Sequence, residues 1–321
     1  MGKVLFVACT NVGKSMIDTI MNDPGIKSEI CGIVNLNVTR GASKANYQTY
    51  ADISDQYHIP LHYCDNVNDR ITLDWIRDKE PDIILQTGWS QKFRDELLSI
   101  PRYGCIGEHP APLPKGRGAA CVNWAILTGE TAWGDSFFEM VSEYDKGKLL
   151  AQEFFRIEEY DNVKTVYDKV AHASASIVKK YLDQWTSGNL DGKAQNDENS
   201  TYYKRRTPQD GLFTFEKPAK ELHDFIRAQT FPYPGAFLVI NGKKLKVLSS
   251  EIMHNVTSKD FPGTVIAKAN GCVDVVCAGG SVLRIKRVQY DYEAETWAEA
   301  FIAQHGDRVF LNGLSKAPIT E

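Results

Sequence analysis

The run G-E-H-P-A-P-L-P-K-G-R-G, residues 107–118, decides how this chain is read. A short apolar segment, Gly104 to Gly107, leads into His109, and Pro110, Pro112 and Pro114 follow at alternate positions. Proline fixes φ near about −65° and has no N–H to give a ladder, so a strand entering this run must stop at His109. In open α/β sheets, ligands and reactive groups gather outside the carboxyl ends of the strands. His109 therefore reads as a poised, partly exposed imidazole. E-Y-D-K-G-K-L-L follows from Glu143, and its Asp145 falls at a sharp bend between two strand-like segments. Asp145 is the candidate carboxylate to orient that imidazole.

Outward from this run, the first half alternates strand and helix signals. Apolar or β-branched runs at Lys3–Ala8, Ile30–Val34, Pro60–Tyr63 and Asp82–Gln86 predict strands, as do Ser136–Val141 and Leu149–Ile157. Val12–Met21, Ile71–Lys79, Gln91–Ser99, Val122–Leu127 and Asn162–Trp185 carry helical spacing. Strand and helix in alternation predict a mostly parallel sheet covered on both faces. From Thr186 to Ser200 the composition turns polar and rich in Gly, Asn and Asp, which reads as a linker. A helix at Lys217–Thr230 is expected next. Short strands at Phe237–Leu248, Gly263–Ala267, Val273–Cys277 and Val282–Val288, with N-G-K-K, N-G and A-G-G turns, then predict a small β-barrel or sandwich. The expected division is a catalytic domain over 1–185, a linker over 186–210 and a mostly-β domain over 211–321.

The 321 residues carry a net charge of −4, with 43% hydrophobic and 24% charged residues. That balance disfavours nucleic acid as a partner, because broad binding to phosphates needs a dominant basic face. No stretch approaches the roughly 20 apolar residues that cross a bilayer, so no membrane insertion is expected. The N-terminal run reads better as a buried first strand than as a signal peptide. The seven cysteines are scattered without C-x-x-C spacing, which points to a reduced, cytoplasmic setting.

Competing motifs are weaker. T-N-V-G-K-S, Thr10 to Ser15, lacks the first glycine of a phosphate-binding P-loop, where Ala8 stands. No G-x-G-x-x-G follows the first strand, and the second ends in Asn35 and Asn37 rather than an acid for ribose hydroxyls. His58, His62 and Cys64 lack a fourth partner, and Pro60 breaks the helix that would align the two histidines, so no metal is expected.

As an ordered set, H-P-A-P-L-P-K-G-R-G (109–118), W-A-I-L-T-G (124–129) and E-Y-D-K-G-K-L-L-A-Q (143–152) resemble the folate-dependent formyltransferases, the family of the methionyl-tRNA formyltransferases. K-R-R-T-P-Q-D-G (204–211) and I-R-A-Q-T-F-P-Y-P-G-A-F (226–237) resemble the join to that family's C-terminal domain and look closest to its sugar N-formyltransferase branch. The resemblance implies an α/β fold: a Rossmann-like, mostly parallel sheet followed by a small OB-like barrel domain. It implies a formyl group moving from 10-formyltetrahydrofolate to the amine of a nucleotide-linked amino sugar, in lipopolysaccharide or other surface-glycan biosynthesis. The tRNA enzyme and a non-catalytic folate- or nucleotide-binding relative are the alternatives.

The same resemblance assigns roles. His109 and Asp145 would be catalytic. Gln86, Thr87, Gly88, Trp89 and Ser90, with Met140 and Glu143, would line the folate pocket. Lys92, Lys115 and Arg117 would meet the pyrophosphate of the sugar nucleotide. A homodimer through exposed strand edges is possible on the same reading. One position departs from the family pattern: its asparagine, two residues before the histidine, is replaced by Gly107. A donor to a developing oxyanion is worth about 3–4 kcal/mol. Backbone N–H groups near Gly107 or His109 itself would then have to supply it, while Glu108 should alternate to the other side of the strand.

Overall fold

A computed structural model describes residues 2–312, which fall into two units. The first comprises the chain to Cys121, Thr131–Ile157 and Thr165–Arg205; the second comprises Val122–Glu130, Glu158–Lys164 and the chain from Arg206.

The first unit contains strands β1 (Lys3–Ala8), β2 (Glu29–Leu36), β3 (Leu61–Cys64), β4 (Ile83–Thr87), β5 (Gly104–His109), β6 (Arg117–Gly118), β7 (Ala132–Glu139), β8 (Leu149–Arg156) and β9 (Tyr202–Tyr203). Seven of them form one sheet in the order β3-β2-β1-β4-β5-β7-β8. The pairs from β3 to β5 are parallel, and β7 and β8 add on antiparallel. Val4 to Ala8 are all fully buried, as a strand covered on both faces requires. Helix Arg70–Lys79 starts where the Asp69 carboxylate accepts from Thr72 N at 2.7 Å, satisfying an orphan donor of the first turn.

Register fixes what faces what at the end of this sheet. Gln86 pairs with Gly107, Gly107 with Phe138, and His109 with Ser136. Because side chains alternate along a strand, Gln86, Gly107, His109 and Phe138 share one face, and Thr87 and Glu108 lie on the other. The bond from Thr87 Oγ1 to Glu108 Oε2, at 2.6 Å, marks that second face.

Several expectations shift. Of the helix expected at Gln91–Ser99, only Asp95–Leu98 forms. Its first turn is held open because Lys92 O accepts from Asn68 Nδ2 and Arg94 N donates to Asn68 Oδ1. The stretch expected to be a linker carries β9, which pairs with β6, and the change from one unit to the other at Arg205 and Arg206 falls within it. Helices at Ala51–Tyr57 and Ala298–His305 were not anticipated.

The second unit is a separate antiparallel sheet made of β10 (Ala236–Ile240), β11 (Lys243–Thr257), β12 (Val265–Ala269), β13 (Cys272–Val276), β14 (Ser281–Tyr290) and β15 (Thr296–Trp297). Pairing runs β10-β11-β14-β13-β12, with β15 against β14; among the described residues β10 and β12 do not pair. Helix Ala219–Arg227 buries Leu222 and Ile226 in a core with Phe215, Leu238 and Leu283. No helix among the described residues is long and apolar enough to cross a membrane.

Candidate functional site

His109 ends β5 as the proline run predicts, but it is buried, only 8% exposed, rather than partly exposed. The loop after it folds back over the ring. Ser136 and Gln152 hold this loop through the Ala111 and Leu113 carbonyls, and Trp133 Nε1 donates to Pro110 O at 2.8 Å. His109 Nε2 meets the Gly116 carbonyl at 2.8 Å, and the Cys121 Sγ, which donates to Pro110 O at 3.3 Å, adds to the field at the ring. Burial opposes charge on this imidazole. The Cys121 sulfur, the Asp145 carboxylate and the Gly116 carbonyl outweigh that and raise its pKa to about 10, so it is a cation at neutral pH.

Asp145 lies in the β7–β8 connection with φ 56°, a left-handed position that aspartate tolerates. Gly147 closes that turn, and a Cβ there would collide with the Glu139 carbonyl. Asp145 acts on His109 through its charge, while its Oδ2 accepts from Gly118 N at 3.0 Å. The imidazole is thus oriented by the Gly116 carbonyl, not by a bond to Asp145. A strap that sequence reasoning missed holds the turn. Gln195 Nε2 donates to the Asp145 and Gly147 carbonyls, each at 2.8 Å.

Arg117 serves that strap instead of facing a ligand. Its side chain is 1% exposed, with Nη1 on Asp197 at 2.7 Å and Nη2 on Gln195 at 2.8 Å. Lys115 lies 5.7 Å above the Trp133 ring, and Lys92 lies 5.7 Å above the Tyr144 ring.

Beside this constellation opens a small recess of about 70 Å³, lined by Gln86, Trp89, Phe138, Met140, Glu143 and Asp145 among others, with Lys92 at its margin. Four residues expected at a folate pocket therefore meet here: Gln86, Trp89, Met140 and Glu143. Thr87, Gly88 and Ser90 do not line it. Thr87 turns to the opposite face, and the Gly88 carbonyl accepts from Cys9 Sγ. Trp89 is buried, and its Nε1 has no hydrogen-bond partner among the described residues. A buried donor left unpaired costs about 1–3 kcal/mol. A larger groove at Lys3, Arg77 and Asp82 lies at the amino ends of the strands, and its charges are paired with one another: Arg77 with Asp74 and Glu96, Lys3 with Glu80. It offers no convergent chemistry.

A second feature was not anticipated. Behind β5, Glu108 faces Asp135 inside the sheet, and both are buried. Burial, and for Asp135 the neighbouring Glu108, raises both pKa values. Ser174 donates to Asp135 from helix Val163–Thr186. Among the described residues no group of three His, Cys, Asp or Glu side chains is placed to hold a metal ion.

The sequence matches the family description "Formyl transferase" over residues 39–182 and "Formyl transferase, C-terminal domain" over residues 205–306. The chain belongs to the formyl transferase family, a family of formyl-transfer enzymes. Solved structures share the fold at low identity. HypX from Aquifex aeolicus, in complex with tetrahydrofolic acid, is 18% identical over 99% of this chain and 49% of its own, with a TM-score of 0.65. This chain thus spans about half the length of HypX. WlaRD, a sugar 3N-formyltransferase solved with dTDP and 5-N-formyl-THF, is 18% identical over 92% of this chain and 99% of its own, with a TM-score of 0.64. The N-formyltransferase from Helicobacter canadensis, solved with folinic acid and dTDP-3-aminofucose, is 17% identical over 89% and 99%, with a TM-score of 0.65.

Proposed function

We propose that this chain is a sugar N-formyltransferase, moving a formyl group from 10-formyltetrahydrofolate to the amine of a nucleotide-linked amino sugar. The observation that carries the reading is that Asp145, whose charge bears on buried His109, lines one recess together with Gln86, Trp89, Met140 and Glu143. Near full-length likeness to two sugar formyltransferases supports the acceptor class. The folate-type ligands named for HypX and WlaRD support the donor. The chain is mildly acidic overall, which favours a small acceptor over tRNA.

On this reading Trp89, Gln86, Met140 and the Glu143 loop hold the folate, which supplies an activated formyl carbon when bound. His109 acts as a fixed positive charge beside the carbonyl under attack, where negative charge develops on oxygen. Asp145 accepts the proton that the amine sheds as its nitrogen bonds to carbon, and returns it to the folate N10 as the bond from N10 to the formyl carbon breaks and tetrahydrofolate leaves. Lys92 and Lys115 are the cations assigned to the pyrophosphate; Arg117 is withdrawn from that role because it is committed to Asp197 and Gln195. All seven cysteines are free thiols, which supports a reducing, cytoplasmic setting for glycan precursor synthesis. The exposed β12 strand supports a homodimer, checked by sedimentation velocity.

The test is incubation with 10-formyltetrahydrofolate and a panel of UDP- and dTDP-linked amino sugars, read by mass. One formyl group gained by one sugar, with tetrahydrofolate released, supports the proposal. Tight folate binding with no sugar modified by any panel member overturns the acceptor class.

A further inference from the structure

We infer that Gln86 is the hydrogen-bond donor to the reacting formyl oxygen, in the role left open by glycine at position 107; this rests on the folate-dependent reading above. A Cβ at Gly107 would lie 2.7 Å from Phe138 Cζ and 3.2 Å from Met140 Cγ. The Phe138 ring therefore fills the space a side chain at 107 would need, and glycine there is the counterpart of phenylalanine across the strand pair.

The other donors are spent or misplaced. At Gly107, β5 is paired on both edges, to Gln86 of β4 and to Phe138 of β7, so its backbone belongs to the sheet. Glu108 lies on the opposite face, bonded to Thr87 and beside Asp135. His109 Nε2 is bonded to the Gly116 carbonyl, and the recess is not lined by His109.

Gln86 has what these lack. It is the in-register neighbour of Gly107, so its side chain leaves the sheet on the same face as His109. It is 8% exposed, it lines the recess, and it carries an amide as asparagine does. Its Nε2 donates to Trp89 O at 3.1 Å, which fixes the amide and leaves the second hydrogen on the same nitrogen. The longer side chain on the neighbouring strand replaces the shorter one displaced by Phe138. A donor fixed in advance in this way costs no reorganisation when charge builds on oxygen.

The test measures binding as well as turnover. The probes are N10-formyl-5,8-dideazafolate, which keeps the formyl group in place, and 5,8-dideazafolate, which lacks it. Wild type is expected to bind the formylated compound about 5- to 10-fold more tightly, the worth of one hydrogen bond. Gln86→Leu should lose that preference while holding the unformylated compound within about twofold, and turnover should fall roughly a hundredfold. Gln86→Glu, near-isosteric but without the N–H, should behave alike and guards against a packing artefact. The triple variant Gln86→Leu/Gly107→Asn/Phe138→Ala, which opens room at 107, should regain the preference. Retention of wild-type preference by both Gln86 variants overturns the assignment. So does wild-type binding of both compounds with equal affinity, which leaves the folate reading standing. Wild type that binds neither compound overturns the folate reading, and this assignment with it.

Discussion

Gln195 holds Asp145 by its backbone: the amide nitrogen donates to the Asp145 and Gly147 carbonyls, while the amide oxygen accepts from Arg117. A polar stretch that reads as linker thus positions the residue proposed to take the amine proton. Gln195→Leu should cost about 1–2 kcal/mol of stability through partly buried hydrogen bonds. It should also lower kcat roughly 10-fold with little change in KM, because Asp145 would remain present but misplaced. Urea unfolding and steady-state kinetics check the two effects separately. A kcat unchanged in a measurably destabilised variant would show that the strap only supports the fold.

Asp145→Asn keeps the size and the Gly118 contact but cannot take a proton. Its kcat should drop about 10²- to 10⁴-fold with folate affinity unchanged. Near-normal turnover in this variant would remove Asp145 from the chemistry.

His109, with its pKa raised to about 10, stays charged across the neutral range. The kcat profile should therefore show no His109 break near pH 6.5, and the loss due to His109 should appear only as pH approaches 10. The same shift bears on stability. The folded state holds this proton more tightly than the unfolded chain, so the contribution is complete below about pH 6.5 and is lost as pH rises towards 10. A kcat that halves near pH 6.5 in wild type but not in His109→Gln would contradict this.

The Glu108 and Asp135 carboxyls act in the same direction over a lower range. Both pKa values are raised by burial, so the folded protein holds protons that the unfolded chain releases near about pH 4. Stability should fall as pH climbs from there towards the raised values. Asp135→Asn removes one acid and should flatten the decline of Tm above the usual carboxylate range. A decline as steep as wild type would mean the pair does not titrate in the folded protein.

Trp89→Phe separates ligand contact from packing. The indole N–H is buried without a partner, so losing it should leave Tm unchanged or slightly higher. If that N–H meets the folate, affinity for 5,8-dideazafolate should weaken by about 5- to 10-fold. Equal affinity in the two proteins would mean that the ligand leaves Nε1 bare.

Much of this was legible in the chain. Apolar runs of strand length fixed β1, β4 and β5, and three alternating prolines fixed the strand end at His109, because both are local properties of the backbone and its side chains. Gln86, Trp89, Met140 and Glu143 were expected together and do line one recess. Where the reading failed, distant residues intervened. Helix formation at Gln91 is pre-empted by Asn68, some 24 residues away in sequence, and the polar strap gains its order from Arg117, 78 residues before Gln195. Thr87 was placed with the folate because it is a neighbour in sequence, but strand alternation turns it to the other face.

By itself, then, the sequence determined the class of fold and the missing side chain at 107, and it singled out His109 and Asp145 as the pair proposed for the chemistry. Periodicity, proline and glycine act within a few residues and are visible in one dimension. Only the tertiary structure decided that His109 is buried and charged, that Arg117 faces inward, and that Gln86 stands beside Gly107. Those are consequences of strand register and of which side chains share a low-dielectric space. Both are set by pairing between segments that lie far apart along the chain.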